Sequence, residues 1–317
     1  MGLPLRDTSS KKRHEIRKQW YRQLKGLVSN IEDIPDRPVL DHKEQQRLGI
    51  SMLTEDASHS EHEARYFTPV LPENLPISPC CPSRWVLENG GSSHESLWPR
   101  FLPDDEEAAE LVEDYYDGRH LASVISHHLS KLRWRYPSPW KETSPGIPDR
   151  RGARYTERLG LEERFLVPCV YDMFSKRKPH QILLMASDHP VEEDCLLRSE
   201  VLAMTTFMRW KMLSMQREQS LVYPVMVISI MNLLKVRVLQ GHFDGTLNIR
   251  RSKVYDFAID DHEDVMKHVV GWLRSTAHGD TVLSMRMPIF RDSHDDEDDD
   301  EGQDEGGNMH GDGVPKP

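Results

Sequence analysis

Histidines are the first residues in this sequence to consider for metal binding or acid–base chemistry. His262 and His268 lie six positions apart in the segment HEDVMKH. On a helix that spacing turns the two side chains roughly 240° apart around the axis, so they cannot bind one metal ion from one face. The cluster between His59 and Glu63 lies in a polar segment without an apolar frame that would orient ligands.

Motifs of the common enzyme classes are also missing. The sequence contains no GxSxG, no GxxxxGKS/T, no GxGxxG and no CxxC. The four cysteines, Cys80, Cys81, Cys169 and Cys195, have neither zinc-site spacing nor a disulfide framework and are interpreted as reduced. We therefore predict no catalytic residue, no cofactor and no metal site.

Two acids in the second half of the chain suggest a nuclease as an alternative. The predicted order of a helix, three strands and another helix is similar to the PD-(D/E)xK nuclease core, in which a helical Glu, a strand Asp and an ExK strand bind a divalent metal. Glu200 would be the helical acid and Asp244 the strand acid. The next strand reads LNIRRSK where ExK would stand, so the second carboxylate and the motif lysine are missing. A degenerate or active nuclease fold stays open.

The elements that would position these residues form a core over residues 159–291. QILLMA is typical of a short buried strand, residues 191–217 of a long helix, and VYPVMVISIM of a strand covered on both faces. The segments around Asp244 and Gly245 predict a β-hairpin with a type I′ turn. A closing helix that begins near Asp260 or Asp261 buries Val265, Val269, Trp272 and Leu273. This order predicts an α+β fold: a small antiparallel sheet with a β-hairpin, packed by two helices.

The rest of the chain divides by composition. Residues 1–35 hold a basic amphipathic helix, 36–103 a proline-rich extended segment, 104–135 a helical pair, 136–158 a basic proline-rich linker and 292–317 a disordered acidic tail. The first helix places an apolar stripe opposite a basic surface: Ile16, Trp20, Leu24, Leu27 and Ile31 form the stripe, and Lys11, Lys12, Arg13, Arg17, Lys18, Arg22 and Lys25 form the surface. A solvated face and a nucleic-acid or import role both remain open for it.

Charge is concentrated at the end of the sequence. The chain has a net charge of −11. Ten acids from Asp292 to Glu305 together with Asp312, against Lys316, give residues 292–317 a net −10. Its densest part is Asp295, Asp296, Glu297, Asp298, Asp299, Asp300 and Glu301. Such tails solubilise a protein, bind basic partners or cover a basic site.

Basic clusters favour a nuclear location. Two of them flank a proline-rich spacer like a bipartite import signal, formed by Lys131, Arg133, Arg135, Arg150, Arg151 and Arg154, and the segment SKRKP adds Lys176, Arg177 and Lys178. Trp134, Tyr136 and Trp140 lie among the arginines and would either stack on nucleic acid or anchor the linker to the core. The predicted partners are an import receptor and other nuclear proteins; chromatin and direct nucleic-acid binding remain open.

A membrane location is not expected. No run in the sequence approaches the roughly 20 apolar residues that span a bilayer, and the first residues lack the apolar stretch of a secretory signal. Only 37% of the residues are hydrophobic, so the foldable sequence must be concentrated in one part of the chain. We predict an intracellular, nuclear protein without a membrane partner.

The segment from Pro224 to Phe257 resembles a module of filamentous fungi. In that module an apolar strand, an Arg-Val/Ile-Leu-Gln core, a Phe/Met-Asp-Gly turn and an Ile-Arg-x-Ser-x-x-Tyr-x-Phe strand follow in this order. Asn232, Leu233 and Leu234 stand where many members have Gly-Pro. The whole chain most resembles the fungal hypoxia-responsive morphology factor A family of subtelomeric gene clusters. The resemblance implies nuclear residence, regulation of cluster expression, effects on colony and biofilm morphology and on low-oxygen growth, and no known catalytic residues.

Taken together, these features predict a nuclear regulatory or scaffold protein that acts by protein contacts and not by catalysis. The alternatives are the nuclease-like fold and a chromatin-associated adaptor.

Overall fold

A nine-stranded mixed sheet organises the described part of the chain. The computed structural model describes residues 8–34, 37–54, 66–75, 125, 138–143, 156–159, 163–175, 177–187, 189, 194–215, 219–231, 235–257 and 260–282. All of them belong to one compact unit, Met1–Leu283. The α+β class predicted from the sequence is confirmed.

The described residues form four α-helices, one 3₁₀ turn and a series of strands. The helices are α1 Thr8–Glu32, α2 His42–Arg47, α3 Arg198–Ser214 and α4 His262–Leu273, with a 3₁₀ turn at Pro72–Asn74. The strands are β1 Val39–Leu40, β2 Ile50–Thr54, β3 Phe67–Thr68, β4 Trp140–Thr143, β5 Thr156–Leu159, β6 Glu163–Met173, β7 Gln181–Ser187, β8 Leu196–Leu197, β9 Val225–Met231, β10 Lys235–Phe243, β11 Leu247–Arg251, β12 Tyr255–Asp256 and β13 Thr276–Ala277.

The main sheet is larger than the small antiparallel sheet expected from the sequence. Its order is β2-β11-β10-β9-β7-β6-β4, with β5 beside β6 and β12 beside β10. Two of its pairs, β2 with β11 and β7 with β9, are parallel. The β7–β9 pair is parallel because α3 provides the long crossover that such a pair requires. The additional strands β2, β4 and β5 come from segments that the sequence analysis assigned to extended chain and linker.

Helices α1 and α3 cover one face of this sheet. On α1 the predicted apolar stripe is confirmed at Trp20, Leu24, Leu27 and Ile31, which are buried, while Ile16 is half-buried. The Trp20 ring contacts Phe243 of β10 edge-on, with ring centres 6.1 Å apart. The helix α3 begins at Arg198 and not at residue 191 as predicted, because Leu196 and Leu197 pair with β1 instead. Both faces of β7 and β9 are buried, as their apolar runs predicted.

The other face of the sheet carries α4 and the small β3–β13 sheet. The Asp261 carboxylate accepts the N–H groups of Glu263 and Asp264, which explains why α4 begins at the predicted position. Close contact with the chain before the 3₁₀ turn requires a glycine, because a Cβ on Gly271 would overlap the carbonyl of Val70. The predicted burial of the α4 apolar residues is confirmed.

Three local predictions differ from the structure. The β10–β11 connection is a three-residue loop and not a two-residue type I′ turn, since Phe243 pairs directly with Leu247; the Asp244 carboxylate accepts from the Asn248 side-chain amide at 3.0 Å and favours the longer loop. The proline-rich segment 36–103 contains a helix, α2, because Asp41 and Glu44 form a capping box and no proline lies within it. The linker 136–158 contributes β4 and part of β5.

The predicted helical pair 104–135 lies outside the described residues except for Ile125, which is helical and buried. The acidic tail 292–317 also lies outside them, as do most residues of the linker.

Candidate functional site

Glu200, the helical acid of the nuclease alternative, accepts hydrogen bonds from groups of the protein itself. It is fully buried in the first turn of α3, beside an equally buried Arg237 of β10. Arg237 donates from Nε to Oε1 at 2.9 Å and from Nη2 to Oε2. The backbone N–H of Leu197 also donates to Oε2, at 2.8 Å. Arg237 uses Nη1 for the carbonyl of Cys195 at 2.9 Å, so both members of the pair are satisfied internally.

The second acid of the nuclease constellation lies far from the first. Asp244 follows the end of β10, seven residues after the Arg237 that holds Glu200. An extended strand of that length covers roughly 23 Å, and Asp244 is exposed in its loop. The structure therefore does not bring Glu200 and Asp244 together. Among the described residues, no cluster of three or more His, Cys, Asp or Glu side chains has the arrangement of a metal site.

A shallow cleft with both polar and apolar lining lies on the α4 side of the sheet, where β2, β10, β11 and β3 meet. Tyr66 and His242 face each other in it with ring centres 4.9 Å apart, and His242 Nε2 lies 3.8 Å from an Asp244 carboxylate oxygen. Its lining also includes Leu53, Phe67, Gln240, Gly241 and Arg250. No site is predicted here from the sequence, because Tyr66 lies in a segment expected to be extended chain and only the tertiary structure brings it to β10.

Burial shifts the pKa values of two side chains in this cleft. Burial lowers the pKa of His242; the Asp244 charge opposes this shift and Arg250 adds to it. Burial, together with Asp244 and Asp280, raises the pKa of Tyr66 to about 12. A neutral imidazole beside a phenol that keeps its proton provides hydrogen-bonding groups but no general base of ordinary strength at neutral pH.

A second group of rings, next to the cleft, is structural. His180 is buried, with its ring centre 6.0 Å from that of Tyr66 and 5.4 Å from that of Phe67. Its Nε2 donates to the carbonyl of His278 at 2.8 Å. Burial lowers the pKa of His180 to about 4, although the hydrogen bond to the carbonyl partly offsets this. The ring therefore stays neutral and fastens the β3–β13 sheet to the main sheet.

The SKRKP segment forms the connection between β6 and β7. Its Arg177 and Lys178 are exposed and Pro179 is buried. The Lys178 side chain donates to the carbonyl of Ala277 at 2.7 Å, and its backbone N–H donates to the carbonyl of Ser175 at 3.1 Å. Lys176 lies outside the described residues. Import receptors bind basic peptide as extended chain, whereas this segment is folded into a turn.

The bipartite cluster is divided by a strand. Lys131, Arg133, Arg135, Arg150, Arg151 and Arg154 lie outside the described residues, but between them Trp140–Thr143 form β4 on the edge of the sheet. Trp140 is only 1% exposed and its indole N–H donates to the carbonyl of Ser275 at 2.7 Å. It therefore anchors this part of the chain to the core. Trp134 and Tyr136 lie outside the described residues.

The basic surface of α1 faces solvent. We call one exposed row of it the outer face of α1, formed by Lys11, Lys18, Arg22 and Lys25. None of these side chains has a hydrogen-bond or ion-pair partner among the residues that the structure describes. Arg17 differs, since it is buried and donates to the carbonyl of Ser220 at 2.8 Å.

Comparison with known proteins identifies no relative: no protein-family model, no curated protein and no solved structure matches this chain. The resemblance to the fungal family stays a prediction from the sequence. Within the described ranges, no helix combines the length and apolar character needed to cross a membrane.

Proposed function

We propose that this protein is a non-catalytic nuclear regulatory or scaffold protein of a fungus. It modulates expression of a subtelomeric gene cluster, and thereby colony and biofilm morphology and growth at low oxygen, through contacts with other proteins. The observation that supports the non-catalytic part argues against the nuclease alternative: Glu200 accepts its hydrogen bonds from Arg237 and Leu197 of the protein itself. The basic clusters support the nuclear part, and the resemblance of residues 224–257 to the fungal family supports the regulatory part.

The state of Glu200 argues against its use as a metal ligand. A carboxylate that binds a divalent ion must turn oxygen lone pairs toward it, but three protein donors already occupy these oxygens. Turning Glu200 away would leave Arg237 as a buried charge without its partner, at a cost of about 3–5 kcal/mol. The nuclease alternative needs that rearrangement before its first step.

The arginines on either side of β4 are the better import signal. The SKRKP turn would have to release the Lys178 hydrogen bond and expose Pro179 before a receptor could bind it as extended chain. Arg150, Arg151 and Arg154 lie outside the described residues, between β4 and β5 in the sequence. We propose that they act in nuclear import together with Lys131, Arg133 and Arg135.

Localisation of a tagged protein tests this function. Arg150, Arg151 and Arg154 are changed together to Ala in one strain, and Lys176, Arg177 and Lys178 in a second, which serves as the matched control because it removes the same charge. We expect the first variant to lose nuclear accumulation and to alter transcripts of the cluster, while the second keeps both. A first variant that stays nuclear and active would overturn the assignment.

Cleavage assays separate the nuclease alternative. Asp244 is exposed and Asp244→Asn preserves its shape, so this variant tests the reaction without disturbing the core. We expect no magnesium-dependent cleavage of DNA by either the natural protein or the variant. Cleavage by the natural protein that Asp244→Asn abolishes would show that the nuclease alternative is correct.

A further inference from the structure

The outer face of α1 carries concentrated positive charge to which the proposed function assigns no role. Its four cations lie within roughly 60° of one another around the helix axis and are all exposed: Lys11, Lys18, Arg22 and Lys25. At 1.5 Å per residue, the row is roughly 21 Å long. Between its ends the only acid is Glu15, so the row forms a strongly positive surface.

The opposite face of α1 fixes this row in space. Trp20 and Leu24 are buried against the rest of the fold, and Arg17 donates from the same helix to the carbonyl of Ser220 at 2.8 Å. The backbone of the row is therefore ordered before any ligand arrives. Binding then costs only the ordering of the lysine and arginine side chains.

A cation of α3 extends the positive surface sideways. The guanidinium of Arg209 lies 5.3 Å from the centre of the Tyr21 ring. Tyr21 stands three residues after Lys18 and four before Lys25, so it adjoins the middle of the row. Arg209 Nε is buried without a hydrogen-bond partner among the described residues, and its charge is held by the aromatic ring and not by an acid.

We propose that the four cations of the outer face of α1 bind the phosphate backbone of double-stranded DNA, while Arg209 adds positive potential at the flank of the row. A straight row of exposed cations on an ordered helix is complementary in charge to the phosphates of a duplex. The row exceeds the width of the major groove, about 12 Å, so it reaches the backbone on both sides of the groove. Contacts of this kind supply affinity and orientation without reading sequence. This activity goes beyond the proposed function, which requires contacts with proteins only.

Fluorescence anisotropy of the full-length protein with a labelled duplex of about 20 base pairs tests the proposal. The test variant carries Lys18→Gln, Arg22→Gln and Lys25→Gln. The control carries Lys43→Gln, Arg47→Gln and Lys141→Gln, which remove the same charge from exposed positions elsewhere. For four phosphate contacts we expect the affinity of the natural protein to fall about 100-fold between about 50 and 200 mM salt. The control should behave in the same way.

The test variant should bind at least about tenfold more weakly at the lower salt concentration and lose less than about tenfold over the same range, because three of the four contacts are gone. Circular dichroism verifies that it is folded. No binding by the natural protein at low salt, or equal binding by the two variants, would overturn the proposal. Competition by poly-glutamate as strong as that by unlabelled duplex would also overturn it, and would identify an acidic protein as the partner.

Discussion

Arg237 and Glu200 form a fully buried ion pair that joins β10 to α3. The two side chains share two hydrogen bonds; Glu200 Oε2 also accepts from the backbone N–H of Leu197, and Arg237 Nη1 donates to the carbonyl of Cys195, where β8 leads into the helix. Three elements therefore meet at a single pair of charges. From the sequence alone, Glu200 is an acid in a helix and a candidate for catalysis; the structure shows that its partner is Arg237.

The first prediction concerns the stability that depends on this pair. Glu200→Gln should destabilise the protein by about 3–5 kcal/mol, because it leaves Arg237 as a buried charge without a counter-charge. The measurement is urea unfolding at neutral pH, followed through the midpoint and slope of the transition.

The double variant Glu200→Leu with Arg237→Met is the informative comparison for the pair. It removes both charges, so it should be at least as stable as the single variant and should recover part of the loss. If Glu200→Gln costs less than about 1 kcal/mol, the pair is not the buried constraint that the structure indicates.

A second prediction compares two helical glycines. Gly271→Ala should be destabilising, because the new methyl group would overlap the backbone carbonyl of Val70, which cannot move aside as a flexible side chain can. Gly26→Ala in α1 should instead stabilise the protein by about 0.5–1 kcal/mol, since nothing lies within 4 Å of the new methyl group. Thermal unfolding of both variants checks the prediction, and a stabilising Gly271→Ala would contradict the contact between α4 and the segment at Val70.

The third prediction concerns pH. Burial lowers the pKa of His180 to about 4 from its ordinary value of 6.5. Between these two values His180 binds a proton in the unfolded chain but not in the folded protein. Stability from this group is fully present above about pH 6.5 and is lost progressively as the pH falls toward about 4. His180→Gln should therefore reduce the slope of unfolding free energy against pH between these limits, by the amount that corresponds to about one proton.

Urea unfolding at a series of pH values measures this slope. His14→Gln is the matched control, because His14 is exposed on α1. An equal flattening in both variants would show that the buried ring is not the source of the acid sensitivity.

A fourth prediction tests the anchor of β4. Trp140→Phe keeps most of the buried ring but removes the indole N–H, so the Ser275 carbonyl loses its donor. We expect a loss of about 1–3 kcal/mol in unfolding free energy. Trp210→Phe is the control, since Trp210 is only half-buried on α3. A smaller loss at residue 140 than at residue 210 would contradict the anchoring role.

Periodic elements could be predicted from the sequence because their signals are local. The apolar stripe of α1, the continuous apolar runs of β7 and β9, and the cap and buried face of α4 all depend on neighbouring residues. The hairpin was located correctly, although its loop has one residue more than predicted. Short strands such as β4 carried no period long enough to be recognised.

The sequence by itself determined the helices α1 and α4, most of α3, the buried strands β7 and β9, and where charge accumulates, because propensity, capping and composition act over a few residues. Only the tertiary structure decided that β7 lies parallel to β9, that SKRKP is a folded turn, that Tyr66 faces His242, and that Glu200 belongs to Arg237. These relationships depend on strand order and register, which are set when distant segments pack together and bury their apolar faces. No local sequence pattern indicates which distant residue a side chain will contact.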